Sequence, residues 1–109
     1  MAASGGFKYL ISKFGNVSGE ELKELVNALS SRRDFPEGDS VVVLISNIKD
    51  EKLIYIVSAK GSIDASAVIK RINSETGGKG GGKKDFSQGG TQDVSKLDEI
   101  EKIVESVLL

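Results

Sequence analysis

Cysteine and histidine are both absent from the 109 residues of this chain. Without them there are no disulfides, no thiolate or imidazole metal ligands, and neither a thiol nucleophile nor an imidazole base. A zinc centre is therefore not expected, nor is any cofactor, and a disulfide-free chain suits the cytoplasm. No apolar run approaches the ~20 residues that cross a bilayer, and the N-terminus lacks a signal peptide's apolar core. A membrane partner is not expected. Excess charge is missing as well. A net charge of −1 argues against a wholesale electrostatic nucleic-acid binder. The distribution is uneven, with a balance of +2 over residues 1–90 and −3 over residues 91–109. Any anion site must be local.

What remains is ordinary globular material. A hydrophobic content of 39% with 28% charged residues suffices for the core of one domain of common size. Residues 1–6 have the composition of a leader or linker remnant and are set outside the fold, leaving residues 7–109 as a single domain. Residues 7–14 alternate in the manner of a strand, with Phe7, Tyr9 and Ile11 on one face. Ser18 and Glu21 form a capping box for a helix over 19–31, whose apolar stripe is Leu22, Leu25, Val26 and Leu29. Arg32 and Arg33 close it, either complementing the helix dipole or reaching toward RNA backbone. The sole proline, Pro36, marks a turn with Gly38.

Val41 to Ile45 run without polar interruption, as a strand buried on both faces does. A second apolar run over 53–58 follows a short polar turn, which predicts an antiparallel hairpin. The helix between the first two strands predicts a parallel pair with a right-handed crossover. Asp64 caps the next helix, with Ala65, Val68, Ile69 and Ile72 buried and Gly77-Gly78 as its left-handed end. Residues 85–89 suggest a short edge strand. Ser95 with Asp98 would cap the last helix, with Leu97, Ile100, Val104, Val107 and Leu108 inward and an acidic outer face of Asp98, Glu99, Glu101 and Glu105. The expected fold class is α/β, a small mixed sheet of three to five strands packed with three helices.

The informative stretch is 77–90, which holds seven of the thirteen glycines, three lysines and one aspartate. Glycine exposes bare amides that can form an anion-binding concavity; the same composition also suits a flexible linker. A P-loop is excluded, because Gly82-Lys83 is followed by Lys84 where a hydroxyl residue is required, and because the stretch leaves from a helix C-terminus. Asp85 caps turn amides or pairs with Lys83. Phe86 either packs on the core or stacks on a base.

Gly-Gly-Lys-Gly-Gly-Gly, a basic pair, then Asp-Phe-Ser-Gln-Gly-Gly-Thr resembles the signature at the C-terminal end of alanyl-tRNA synthetases. There it lies in the DHHA1 (C-Ala) domain, which is shared with DHH-type phosphoesterases. Lysine stands at Lys84 where that motif commonly has proline, and the histidine usual in the phosphoesterases is missing. The resemblance implies a DHHA1-like domain that binds tRNA(Ala) at the elbow where the D- and T-loops meet. It would thereby link the aminoacylation and editing domains of a parent alanine–tRNA ligase, without being an enzyme itself. The RNA-contacting set it implies is Gly77, Gly78, Lys79, Gly80, Gly81, Gly82, Lys83, Lys84, Phe86 and Gln88, with Arg32 and Arg33. Two alternatives stand beside it: an oligomerisation module forming a homodimer through an apolar helix face, and the substrate-binding half of a DHH-type phosphoesterase.

Overall fold

The computed structural model describes residues 2–4, 7–30, 40–49, 51–60 and 63–108; the side chains of 2–4, 7–9, 29–30, 40 and 107–108 lie outside that description. Arg32, Arg33 and the Pro36 turn are thus also outside the described residues. Six strands form one sheet: β1 (Ala2–Ser4), β2 (Phe7–Gly15), β3 (Ser40–Ile48), β4 (Lys52–Lys60), β5 (Lys79–Gly82) and β6 (Phe86–Thr91), in spatial order β1-β2-β3-β4-β6-β5. Three helices, α1 (Gly19–Ser30), α2 (Ala65–Thr76) and α3 (Leu97–Leu108), pack on it. Strands β2–β6 make the mixed sheet of the expected α/β class. Ala2–Ser4, set outside the fold on composition, instead pairs antiparallel with β2. A small-residue segment gives no strand signal, but β2's open edge can order it.

The β2–β3 pair is parallel and joined through α1, and β3–β4 is an antiparallel hairpin, as the apolar runs predict. Val41 to Ile45 are fully buried because helices cover both faces of β3. On one face Val42, Leu44 and Ile56 meet Leu22 and Val26 of α1. On the other, Val41, Val43, Ile45, Tyr55 and Val57 meet α2 (Val68, Ile69, Ile72) and α3 (Ile100, Val104). Each such side chain contributes about 1.5–3 kcal/mol by leaving water. Leu25, expected in the α1 stripe, is 37% exposed; the stripe that meets the sheet is narrower than the sequence spacing implied.

Capping follows the sequence at α1 and α2. Ser18 Oγ accepts from the Glu21 N–H at 3.2 Å and donates to the Glu21 carboxylate at 3.1 Å. Asp64 Oδ1 accepts from the Ser66 N–H at 3.0 Å. Gly77 adopts φ 71°, and its N–H donates to the Asn73 carbonyl at 2.9 Å. At α3 the cap differs from expectation. A 3-10 turn, Val94–Lys96, precedes the helix, and Asp93 rather than Ser95 caps it, accepting from the Ser95 N–H at 3.2 Å. Part of the acidic face of α3 is engaged with the sheet. Asp98 and Glu101 hold Lys13 of β2 at 3.1 and 3.0 Å, and these two carboxylates raise the Lys13 pKa above its ordinary value.

Candidate RNA-facing edge

The glycine stretch is a hairpin. Its first arm is β5, at the edge of the sheet, and β6 lies inside between β4 and β5. Register runs Lys79↔Gly90, Gly80↔Gly89, Gly81↔Gln88 and Gly82↔Ser87. The predicted edge strand over 85–89 is therefore an interior strand, and the edge is the glycine run itself. Glycine has low β-propensity, so nothing local announced β5; pairing with β6 supplies the order.

The hairpin is fastened at both ends. At the turn the Lys83 N–H donates to the Phe86 carbonyl at 2.7 Å, and Ser87 Oγ donates to the Lys83 carbonyl at 2.9 Å. The Ala65 N–H donates to the Lys84 carbonyl at 2.7 Å and the Ala59 N–H to the Asp85 carbonyl at 2.9 Å. The turn is thus tied to the start of α2 and the end of β4. It is not the free spacer that composition allowed. Asp85 enters this scheme through its backbone carbonyl.

At the other end, buried Tyr55 donates its hydroxyl to Asn73 Oδ1, whose amide donates to the Gly80 carbonyl at 3.4 Å. Burial raises the Tyr55 pKa above the ordinary tyrosine value. This close approach explains Gly78 and Gly89, and the facing β6 backbone explains Gly80 and Gly82. A Cβ on Gly89 would sit 2.7 Å from Tyr55 Cε2, and one on Gly78 would collide with the Tyr55 hydroxyl. Gly80 has φ 144°, which side chains rarely adopt, and its Cβ would strike the Gln88 carbonyl. Of the implied contact glycines, Gly78, Gly80 and Gly82 are needed by internal packing. A Cβ on Gly81 or Gly77 would meet nothing within 4 Å, although Gly77's φ of 71° favours glycine.

Lys79, Lys83, Lys84 and Gln88 are exposed, and Phe86 is half-buried against the core under α1. Among the described residues none of the three lysines forms an ion pair within 4.0 Å. They do not converge. Lys79 opens β5, while Lys83 and Lys84 follow its far end, about 13 Å away at roughly 3.3 Å per residue. Lys83 and Lys84 instead share an open groove of about 520 Å³ with Lys60, Ile63 and Asp85. Beside it, the Asp64 carboxyl is held below its usual range chiefly by the Ser66 hydroxyl, with backbone N–H groups and Lys84 adding to the effect. Sequence spacing missed Lys60 and the Tyr55–Asn73 latch, because only the β4–β6–β5 register brings them to the hairpin. Among the described residues no three carboxylates cluster as a metal site would require, and no helix is long and apolar enough to cross a membrane.

Comparison with known proteins gives this arrangement a lineage. The DHHA1 domain family matches residues 6–109. The alanine–tRNA ligase of Fusobacterium nucleatum is 32% identical over 117 aligned residues, covering all of this chain but 13% of that enzyme. That of Psychrobacter cryohalolentis is 38% identical over 89 residues, 78% of this chain and 9% of that enzyme. The chain thus spans a small fraction of the curated relatives it matches. The crystal structure of the C-Ala domain of Aquifex aeolicus alanyl-tRNA synthetase superposes with a TM-score of 0.78 at 27% identity, over 92% of this chain and 89% of that one. The family match over residues 6–109 and the likeness to the C-Ala domain agree: the chain belongs to the DHHA1 domain family, in the form that alanyl-tRNA synthetases carry.

Proposed function

We propose that this domain binds tRNA(Ala), docking on the tRNA elbow through the β5–β6 hairpin, and that it helps one tRNA serve both the aminoacylation and the editing domains of an alanine–tRNA ligase. The observation that carries this is the outer edge of β5. Among the described residues no strand pairs with it beyond β6, and apart from the Gly80 carbonyl held by Asn73 it offers strand backbone between Lys79 at one end and Lys83 and Lys84 at the other. Lysines neutralise phosphate, and the open side of Gly81 lets sugar–phosphate backbone come close. RNA of irregular shape, with exposed bases, fits such an edge better than a regular duplex. On this reading the chain catalyses nothing alone and works tethered to the parent's other tRNA-binding parts, which raises its effective concentration.

The homodimer reading finds less support. Leu25 is the large apolar side chain exposed among the described residues, and one leucine is not a patch. The lysines flanking β5 also oppose edge-to-edge pairing of two copies. The test is binding of the folded chain to tRNA(Ala), an unrelated tRNA and a plain RNA duplex at low salt, with sedimentation of the same sample. The proposal expects folded tRNA to be preferred over duplex by a monomer. Equal affinity for duplex, or a dimer that ignores tRNA, overturns it.

A further inference from the structure

A second group of lysines lies at the opposite end of the sheet from the hairpin turn. Lys49 stands in the β3–β4 turn at φ 53°, its N–H donating to Asn16 Oδ1 at 2.7 Å. Lys52 opens β4; across β6 the register levels Lys79, at the start of β5, with Ile54, two residues further along, and Lys52 and Lys79 line one groove. Two open grooves meet there. One of about 370 Å³ is lined by Lys49, Lys52, Gly19 and Ile54. The other, about 510 Å³, is lined by Lys52, Lys79, Ile54, Gly78 and Gly90. Lys52 and Ile54 belong to both, so the grooves adjoin. Among the described residues the one carboxylate lining them is Asp93, which is already engaged by Ser95; exposed Glu51, in the same turn as Lys49, does not line them.

Between this end and the turn, the α1-side face of β6 and β5 is uncharged. It carries exposed Gln88, which pairs with Ile56, then Gly90 and Gly81, beside half-buried Ile54 and Phe86. Helix α1 packs on β3 and β4 and leaves Gln88 exposed to solvent beyond them. Lysines thus flank this neutral face at both ends of the hairpin, those at the turn beside Ala59 and Ile63 of the α2-side core and with Asp85 in their groove. The two ends lie about 13 Å apart along β5 and about 26 Å apart along β4, at roughly 3.3 Å per residue.

We infer that RNA is held at two separate phosphate anchors: Lys83 and Lys84 at the turn, and Lys49 and Lys52 with Lys79 at the far end. The neutral glycine-lined face between them receives the intervening unpaired nucleotides. This rests on the RNA-binding function proposed above and extends it to Lys49 and Lys52. Charge complementarity selects the occupant, because a chain with regularly spaced anionic groups and neutral bases between them matches both ends and the middle.

The test compares Lys49→Glu/Lys52→Glu with Lys83→Glu/Lys84→Glu for tRNA(Ala) binding across a salt series. Circular dichroism verifies the fold, and Lys49→Gln/Lys52→Gln serves as a milder pair. Two anchors on one RNA predict that either reversal weakens binding at least several-fold. Each should also make the log Kd against log salt slope shallower, by about 0.7–0.9 for every phosphate that is no longer neutralised. Amide signals of Gln88 and Gly90 should shift on RNA addition. If only the Lys83/Lys84 pair matters, with Lys49/Lys52 variants matching the parent chain, the second anchor is overturned while the hairpin contact stands. If the parent chain itself binds no RNA, both fall.

Discussion

Gly81 and Gly89 are eight residues apart in one glycine motif, yet they stand in opposite surroundings. Gly89 lies against the Tyr55 ring, where a Cβ would be 2.7 Å from Cε2; at Gly81 the space is open. Gly89→Ala is therefore expected to destabilise the domain by about 1–3 kcal/mol through overpacking. Gly81→Ala should leave thermal stability within about 0.5 kcal/mol while weakening RNA binding. Urea melts and tRNA titrations of the two variants separate the roles; equal destabilisation would refute the assignment. The Tyr55 hydroxyl bond to Asn73 fastens the same hairpin. Removing either partner should cost about 1–3 kcal/mol, more for Asn73→Ala, which leaves the buried hydroxyl unsatisfied, than for Tyr55→Phe. Burial raises the Tyr55 pKa, so the neutral form is the one the fold favours. Its contribution is complete below the ordinary value of about 10 and is lost as pH rises through the folded-state value. Lys13, also raised, loses its contribution in the same alkaline range. The difference between parent and Tyr55→Phe in alkaline melts isolates the tyrosine; identical alkaline limbs would contradict it.

Among the elements, α2 organises the site, since its first residue holds the turn, its Asn73 holds the glycine arm, and its inner face fills the core. Ile69→Ala, at a fully buried position, should cost about 2–5 kcal/mol by leaving a cavity, which chemical denaturation would show. Asp64→Ala should lower the melting temperature at neutral pH but not at acid pH. The Asp64 pKa is depressed, so the cap's contribution exists above the unfolded value and fades as pH falls through the folded one. A melting-temperature difference that persists in acid would contradict this. α2 was also the most legible element, because Asp64, the stripe Ala65-Val68-Ile69-Ile72 and Gly77 each act locally. Strands β3 and β4 were equally plain, being uninterrupted apolar runs. β5 and β1 were not, because glycine and small residues carry no strand preference and depend on a neighbour's edge. The same gap hid part of the candidate site. The motif pointed to Lys79, Lys83 and Lys84, but their separation and the presence of Lys49, Lys52 and Lys60 follow from register alone.

At the scale of the whole molecule, a nearly neutral chain reaches its proposed polyanion by placing lysines at the ends of strands, where the sheet carries them to one edge and leaves carboxylates such as Asp98 and Glu101 on α3 occupied with Lys13. Binding should accordingly be weak, salt-sensitive and shape-selective, not that of a basic domain. The most direct measurement is the salt dependence of tRNA(Ala) binding by the parent chain and by the Lys79→Ala/Lys83→Ala/Lys84→Ala variant. With the three lysines on phosphate, the variant should bind more weakly, and its slope should be shallower by about 2–3, at roughly 0.7–0.9 per phosphate. A folded variant with unchanged affinity and slope would show that the glycine edge does not face RNA.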